Sequence, residues 1–87
     1  MLKIQLTKDP FTFVTFDGLV LEYFADHKDT SSRSHVGLIE LIELTTDKKG
    51  RHYLKMNTKR ASLNQDLDEQ AVNDVKELVA EVQKAMK

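Results

Sequence analysis

The chain contains no cysteine and no tryptophan, a single proline at Pro10, and only three glycines in 87 residues. Without cysteine there is no disulfide, no thiolate zinc site and no cysteine nucleophile. That composition fits a reducing compartment, so a cytoplasmic location is the expectation. Gly18, Gly37 and Gly50 stand far apart, so no Gly-rich loop is available to cradle a phosphate. No run approaches the ~18 apolar residues of a membrane span. The opening MLKIQLTKDP alternates apolar and polar residues instead of presenting the continuous apolar core of a signal peptide. No serine sits in an elbow or triad motif, and no two histidines share a helical i, i+4 spacing suited to zinc.

Charge of one sign is also lacking. The formal net charge is −1. Residues 1–65 hold ten Lys/Arg against eight Asp/Glu, or +2, and residues 66–87 hold three against six, or −3. Nucleic-acid binding, which calls for one strongly basic face, is not expected. There is no internal repeat and no low-complexity tract. With 40% hydrophobic residues, the chain reads as one ordered domain over 1–87. A domain of this size buries only roughly 60–65% of its unfolded surface, so its stability is modest unless a partner or a second copy adds to it.

Period-2 alternation dominates the first two thirds. Leu2, Ile4 and Leu6 alternate with polar residues and predict a strand over 2–7, closed by Lys8-Asp9-Pro10. FTFVTF at 11–16 is dense in aromatic and β-branched residues and predicts a second strand. Asp17-Gly18 is the two-residue signal of a type I′ hairpin. The returning strand, 19–25, sets Leu19, Leu21 and Tyr23 against Val20, Glu22 and Phe24. DHKDTSS at 26–32 reads as a solvated loop. A short strand is expected at 33–36, with Gly37 marking a bulge or a corner where the chain changes sheet. LIELIELT at 38–45 admits a helix by periodicity, but its β-branched residues, its length and Gly37 beside it favour a strand. Asp47-Lys48-Lys49-Gly50 then forms a hairpin turn in which Gly50 takes φ > 0. Strands are expected at 51–57 and 59–63.

The period then changes to 3.6. Leu67, Ala71, Val75, Leu78 and Val82 recur at helical steps, joined by Val72 and Val79, and predict an amphipathic helix over about 66–86. Asp66 with Glu69 resembles a capping box, and Ser62 with Gln65 is an earlier alternative. The width of the stripe makes it, or a sheet edge, a place where a second copy could pack.

The order of elements, about seven antiparallel strands followed by one C-terminal amphipathic helix, resembles the pleckstrin-homology-like (PH-like) fold. The FDG hairpin is similar to those of short bacterial members. RSHVGLIELIEL resembles their strand-to-strand corner, and DKKGRHYLKM resembles the hairpin that leads into their closing half. The resemblance implies an α+β fold, with two near-orthogonal sheets forming a partly open barrel capped by the helix. It also implies recognition as the function, not catalysis. Phosphoinositide-binding members carry a basic cluster between their first two strands. Here Thr7-Lys8-Asp9-Pro10 offers one lysine beside an aspartate, so that headgroup site is not implied.

The candidate binding face is basic: Lys48, Lys49, Arg51, Tyr53, Lys55 and Arg60, with Lys59 beside them. Arg51, Tyr53 and Lys55 fall on one side of their strand, an aromatic between two cations that could hold phosphate or an acidic partner. The commoner role of such a stripe is a solvated outer face that discourages edge-to-edge pairing. His27 between Asp26 and Asp29 could hold a metal weakly, but a solvated loop is the expected role. His35 and His52 lie in the central stretch, where they could pair across it. No catalytic residue, metal, cofactor or small-molecule substrate is assigned. The expected function is a non-enzymatic interaction module that binds protein or a second copy of itself. The alternative is an anion or acidic membrane-surface binder through 48–60, which leaves weak peripheral membrane contact open.

Overall fold

The computed structural model describes residues 2–25 and 30–86. Seven antiparallel strands form two sheets, and one C-terminal helix follows. The first sheet has the order β1 (Leu2–Thr7), β2 (Thr12–Phe16), β3 (Val20–Ala25), β4 (Thr30–His35). The second has the order β5 (Ile39–Thr46), β6 (His52–Thr58), β7 (Ser62–Leu67). The two sheets do not close into a barrel. Among the described residues, no helix is long and apolar enough to cross a membrane.

Alternation decides which face of each strand is buried. Ile4, Val14, Phe16, Leu21 and Tyr23 of the first sheet meet Ile42, Leu54 and Met56 of the second, and Val75, Leu78 and Val82 of the helix complete the core. A bulge in β1 lets Leu6 and Thr7 both turn inward opposite Thr12. The buried Thr7 and Thr12 hydroxyls satisfy each other at 2.6 Å, as buried polar groups require.

The β2–β3 hairpin is displaced by one residue from the expected type I′ turn. Asp17 N donates to Val20 O, so Gly18 and Leu19 occupy the centre of the turn. Asp17 Oδ1 accepts from Leu19 N at 2.9 Å and Val20 N at 2.8 Å. These bonds hold the Asp17 carboxyl below the ordinary carboxylate range, the Val20 amide contributing most. Leu19, which alternation groups with Leu21 and Tyr23, lies in the turn instead and is 61% exposed.

The corner falls where Gly37 placed it, but as a 3-10 turn over Val36–Leu38 that carries the chain from the first sheet to the second. The strand before it is longer at its start than the expected 33–36. In β5, Ile39 pairs with Thr58 and Leu41 with Asn57, leaving Glu40 as an extra, exposed residue. This bulge puts the buried residues Ile39 and Ile42 three apart, which is why LIELIELT carries a helix-like spacing although it is a strand.

The last strand is Ser62–Leu67 and not 59–63, because Lys59–Ala61 make the preceding turn. Thr58 N donates to Ala61 O, while Thr58 Oγ1 accepts from Arg60 N and Ala61 N. Ser62 and Asp66, both considered as helix caps, therefore lie within β7. The helix begins later, with a 3-10 turn at Glu69–Ala71 followed by α1 (Val72–Ala85). Fourteen residues at 1.5 Å each give about 21 Å, shorter than 66–86 implies. Asp68 makes no cap bond of its own. Its carboxylate instead accepts Lys8 N at 2.8 Å, tying the helix entry to the β1–β2 turn. Near its C-terminal end, α1 sends Gln83 Nε2 to Ile42 O on the free edge of β5 at 3.0 Å.

Candidate functional site

The β5–β6 turn is built on Asp47. Its Oδ1 accepts Lys49 N and Arg51 N, each at 2.9 Å, and its Oδ2 accepts the Tyr53 hydroxyl at 3.0 Å. Arg51 Nε lies 3.4 Å from the same carboxylate, and Gly50 closes the turn at φ +82°. The Asp47 carboxyl is held below its ordinary range, chiefly by the Arg51 amide. The hydrogen bond that the Tyr53 hydroxyl donates to this carboxylate pushes the hydroxyl up.

This turn leaves Lys48 and Lys49 exposed at its tip, with Arg51 just before β6 and Tyr53 and Lys55 following along the strand's outer face. The structure therefore brings those five together. It does not bring Arg60 or Lys59, which occupy the β6–β7 turn at the other end of a strand about 20 Å long. Acids also interleave the cations. Tyr53 pairs with Asp66, Lys55 with Glu43 and Asn64, and Arg51 is bound to Asp47. The outer face of the second sheet is a mixed-charge surface.

The histidines do not meet. His35 pairs with Val20 in the first sheet, while His52 pairs with Thr46 and Leu67 in the second. His35 Nδ1 accepts Gly37 N at 3.0 Å, and His52 Nδ1 lies 3.0 Å from Thr46 Oγ1. His27 with Asp26 and Asp29 lies outside the described residues. Among the described residues, no three His, Asp or Glu side chains converge as a metal site would require. A cleft of about 640 Å³ runs between the β1–β2 turn, the β5–β6 turn and the end of β7. Asp9, Asp66, Asp68 and Glu69 line it with Arg51 and His52, so its field disfavours anions.

Sequence reasoning missed the aromatic surface on the outer face of the first sheet. Phe13 and Phe24 are cross-strand partners, stacked with centroids 4.6 Å apart and planes 13° from parallel. Phe11 tilts against Phe13 at 5.2 Å and is 39% exposed. Lys3 Nζ sits 5.1 Å from the Phe13 centroid, a cation–π contact. The signal was present in FTFVTF. Once Val14 and Phe16 are inward, Phe11 and Phe13 must face out. Of the four phenylalanines, only Phe16 belongs to the core.

A second opening lies between the sheets, where β4 faces β6 and β7. It is a slot of about 260 Å³ lined by Tyr23, Ser32, Ser34, Met56, Thr58, Ala61, Ser62 and Leu63. No family model, curated protein or solved structure matches the chain.

Proposed function

We propose that the chain is a non-enzymatic, PH-like interaction module that binds protein, a second copy of itself included, through the outer face of its four-stranded sheet. The observation that carries this reading is the Phe11–Phe13–Phe24 cluster on a face that core packing does not cover. An outward sheet face needs only polar residues, so three clustered rings there mark a contact surface. Aromatic anchors beside a cation are the side chains that protein interfaces favour. The element order, four strands, three strands and a helix, supports the PH-like part. The groups with shifted titration support recognition over catalysis, since bonds that build hairpins account for Asp17, Asp47 and Tyr53, and burial accounts for Tyr23.

The experiment is light scattering on the eluting protein over a wide concentration range, alongside Phe13→Lys. The wild-type mass rises with concentration, and Phe13→Lys remains monomeric with an unchanged circular dichroism spectrum. A monomer at every concentration, with outer-face amide signals that do not move, would rule out self-recognition through this face. The anion or membrane-surface reading through 48–60 receives less support, because Glu43, Asp47 and Asp66 interleave its cations.

A further inference from the structure

The slot between the sheets arises from a change of side-chain size within the first sheet. The inward residues of β3, Leu21 and Tyr23, pair across to Ser34 and Ser32 of β4. Facing sheets pack about 10 Å apart when large side chains interdigitate, so two serines leave that depth unfilled. Met56 and Leu63 of the opposite sheet line the far side. The floor is apolar, with Tyr23 and Met56 both buried. The rim carries the exposed Ser32 and Ser62 and the half-buried Ser34. Among the described residues, no charged side chain lines the slot. The Thr58 hydroxyl is occupied by the turn at Ala61. Among the described residues, no group bonds the hydroxyls of Ser32, Ser34 and Ser62, which face the slot.

We infer that this slot binds a small uncharged molecule of the phenol class, with its ring against Tyr23, Met56 and Leu63 and its hydroxyl at the serine rim. Three arguments select that chemistry. Size limits the occupant: an apolar cavity of about 150 Å³ holds benzene, so the slot takes one ring and its substituents. The uncharged lining among the described residues disfavours ions, which would lose hydration without a counter-charge. The flanking thioether of Met56 and ring of Tyr23 favour an aromatic over an aliphatic body. A free molecule suits the polarity better than a partner's tyrosine. A tyrosine side chain enters tip first and would carry its hydroxyl to the apolar floor.

The test is a titration of the full chain with p-cresol, followed through its amide signals and the Met56 methyl signal. The inference predicts saturable shifts at Ser32, Ser34, Ala61 and Ser62, with an upfield ring-current shift of the Met56 methyl. Ser34→Leu fills the slot from β4 and should weaken binding by at least roughly tenfold at unchanged or raised melting temperature. Ala61→Trp, at an exposed turn position, blocks the mouth without touching the core and should weaken binding likewise. The inference is overturned if p-cresol produces no saturable shift, or if both folded variants bind as wild type does. It is also overturned if a Gly-Tyr-Gly peptide occupies the slot more tightly than p-cresol, which would assign the ring to a protein partner. Phe13→Lys leaves the slot intact, so loss of self-association and loss of p-cresol binding are separable results.

Discussion

The Tyr23 hydroxyl of β3 donates to Gln65 Oε1 of β7, so a polar bond joins the two sheets across the interior. Tyr23 is 8% exposed, and Gln65 is the inward residue between Leu63 and Leu67. A buried hydroxyl left without its acceptor costs about 1–3 kcal/mol, whereas replacing both partners with apolar groups can be nearly neutral. Gln65→Leu should therefore destabilise by about 1–3 kcal/mol, and adding Tyr23→Phe should recover most of that loss. Urea denaturation of both single variants and the pair measures the coupling. Additive losses would show that the bond contributes nothing beyond its parts. Burial also pushes the Tyr23 hydroxyl above its ordinary value of 10.0. Its stabilising contribution is whole below pH 10 and is lost as pH rises through the folded-state value. Tyr23→Phe should flatten that alkaline decline.

Asp17 and Asp47 occupy equivalent places in the two Gly-containing hairpins, each accepting two backbone amides through Oδ1. Both carboxyls are held below the value of 3.8. A depressed carboxyl stabilises the fold above its unfolded value, and the contribution is lost as pH falls through the folded one. Stability should therefore drop as pH falls below about 4. The double variant Asp17→Asn/Asp47→Asn should be less stable at pH 7 and lose less on acidification. Denaturant midpoints measured from pH 7 to pH 2 give the comparison. Equal acid slopes in the variant and the wild type would place the acid sensitivity elsewhere.

Gly50 adopts φ +82°, and a Cβ built there meets nothing within 4 Å. Any penalty for alanine is therefore conformational and not a clash. Gly50→Ala should cost about 1 kcal/mol, and Gly50→Asn less, since asparagine tolerates the left-handed region. Thermal unfolding of the two variants orders them. An alanine as stable as wild type would mean that the turn relaxes to another geometry.

The strands with strict alternation were legible, since Ile4, Val14, Leu21, Leu54 and Met56 all face inward as the period-2 pattern requires. Three features were not legible, each for a physical reason. The extra residue Glu40 in β5 mixes a helical spacing into a strand. In β7 the inward position between two leucines is the half-buried Gln65, whose hydrogen-bond partner is a tyrosine 42 residues away in sequence. The helix pattern merges with Leu67, an inward strand residue, so the helix seemed to begin early. The candidate site was legible only in part. Arg51, Tyr53 and Lys55 share a face as their alternation implied, but the acids beside them come from β5 and β7 and follow only from register.

That register also limits attachment to an anionic membrane. An anionic membrane attracts a peripheral basic segment by about 1 kcal/mol per Lys or Arg near the surface, within a Debye length. Lys48 and Lys49 are exposed and adjacent to one another. Arg51 is bound to Asp47, Lys55 stands across from Glu43, and Arg60 is at the far end of the strand. Within the β5–β6 hairpin, Lys48 and Lys49 are then the two cations that can approach a flat anionic surface together and uncompensated, which is worth about 2 kcal/mol and too little for stable attachment. Sedimentation with phosphatidylserine vesicles at low salt should leave most of the protein in solution. Glu43→Lys/Asp66→Lys, which removes two interleaving acids and adds two cations, should shift it to the pellet in a salt-sensitive manner. If the wild type already pellets and Lys48→Glu/Lys49→Glu releases it, the interleaved acids do not cancel the basic turn, and the membrane-surface reading gains over protein recognition.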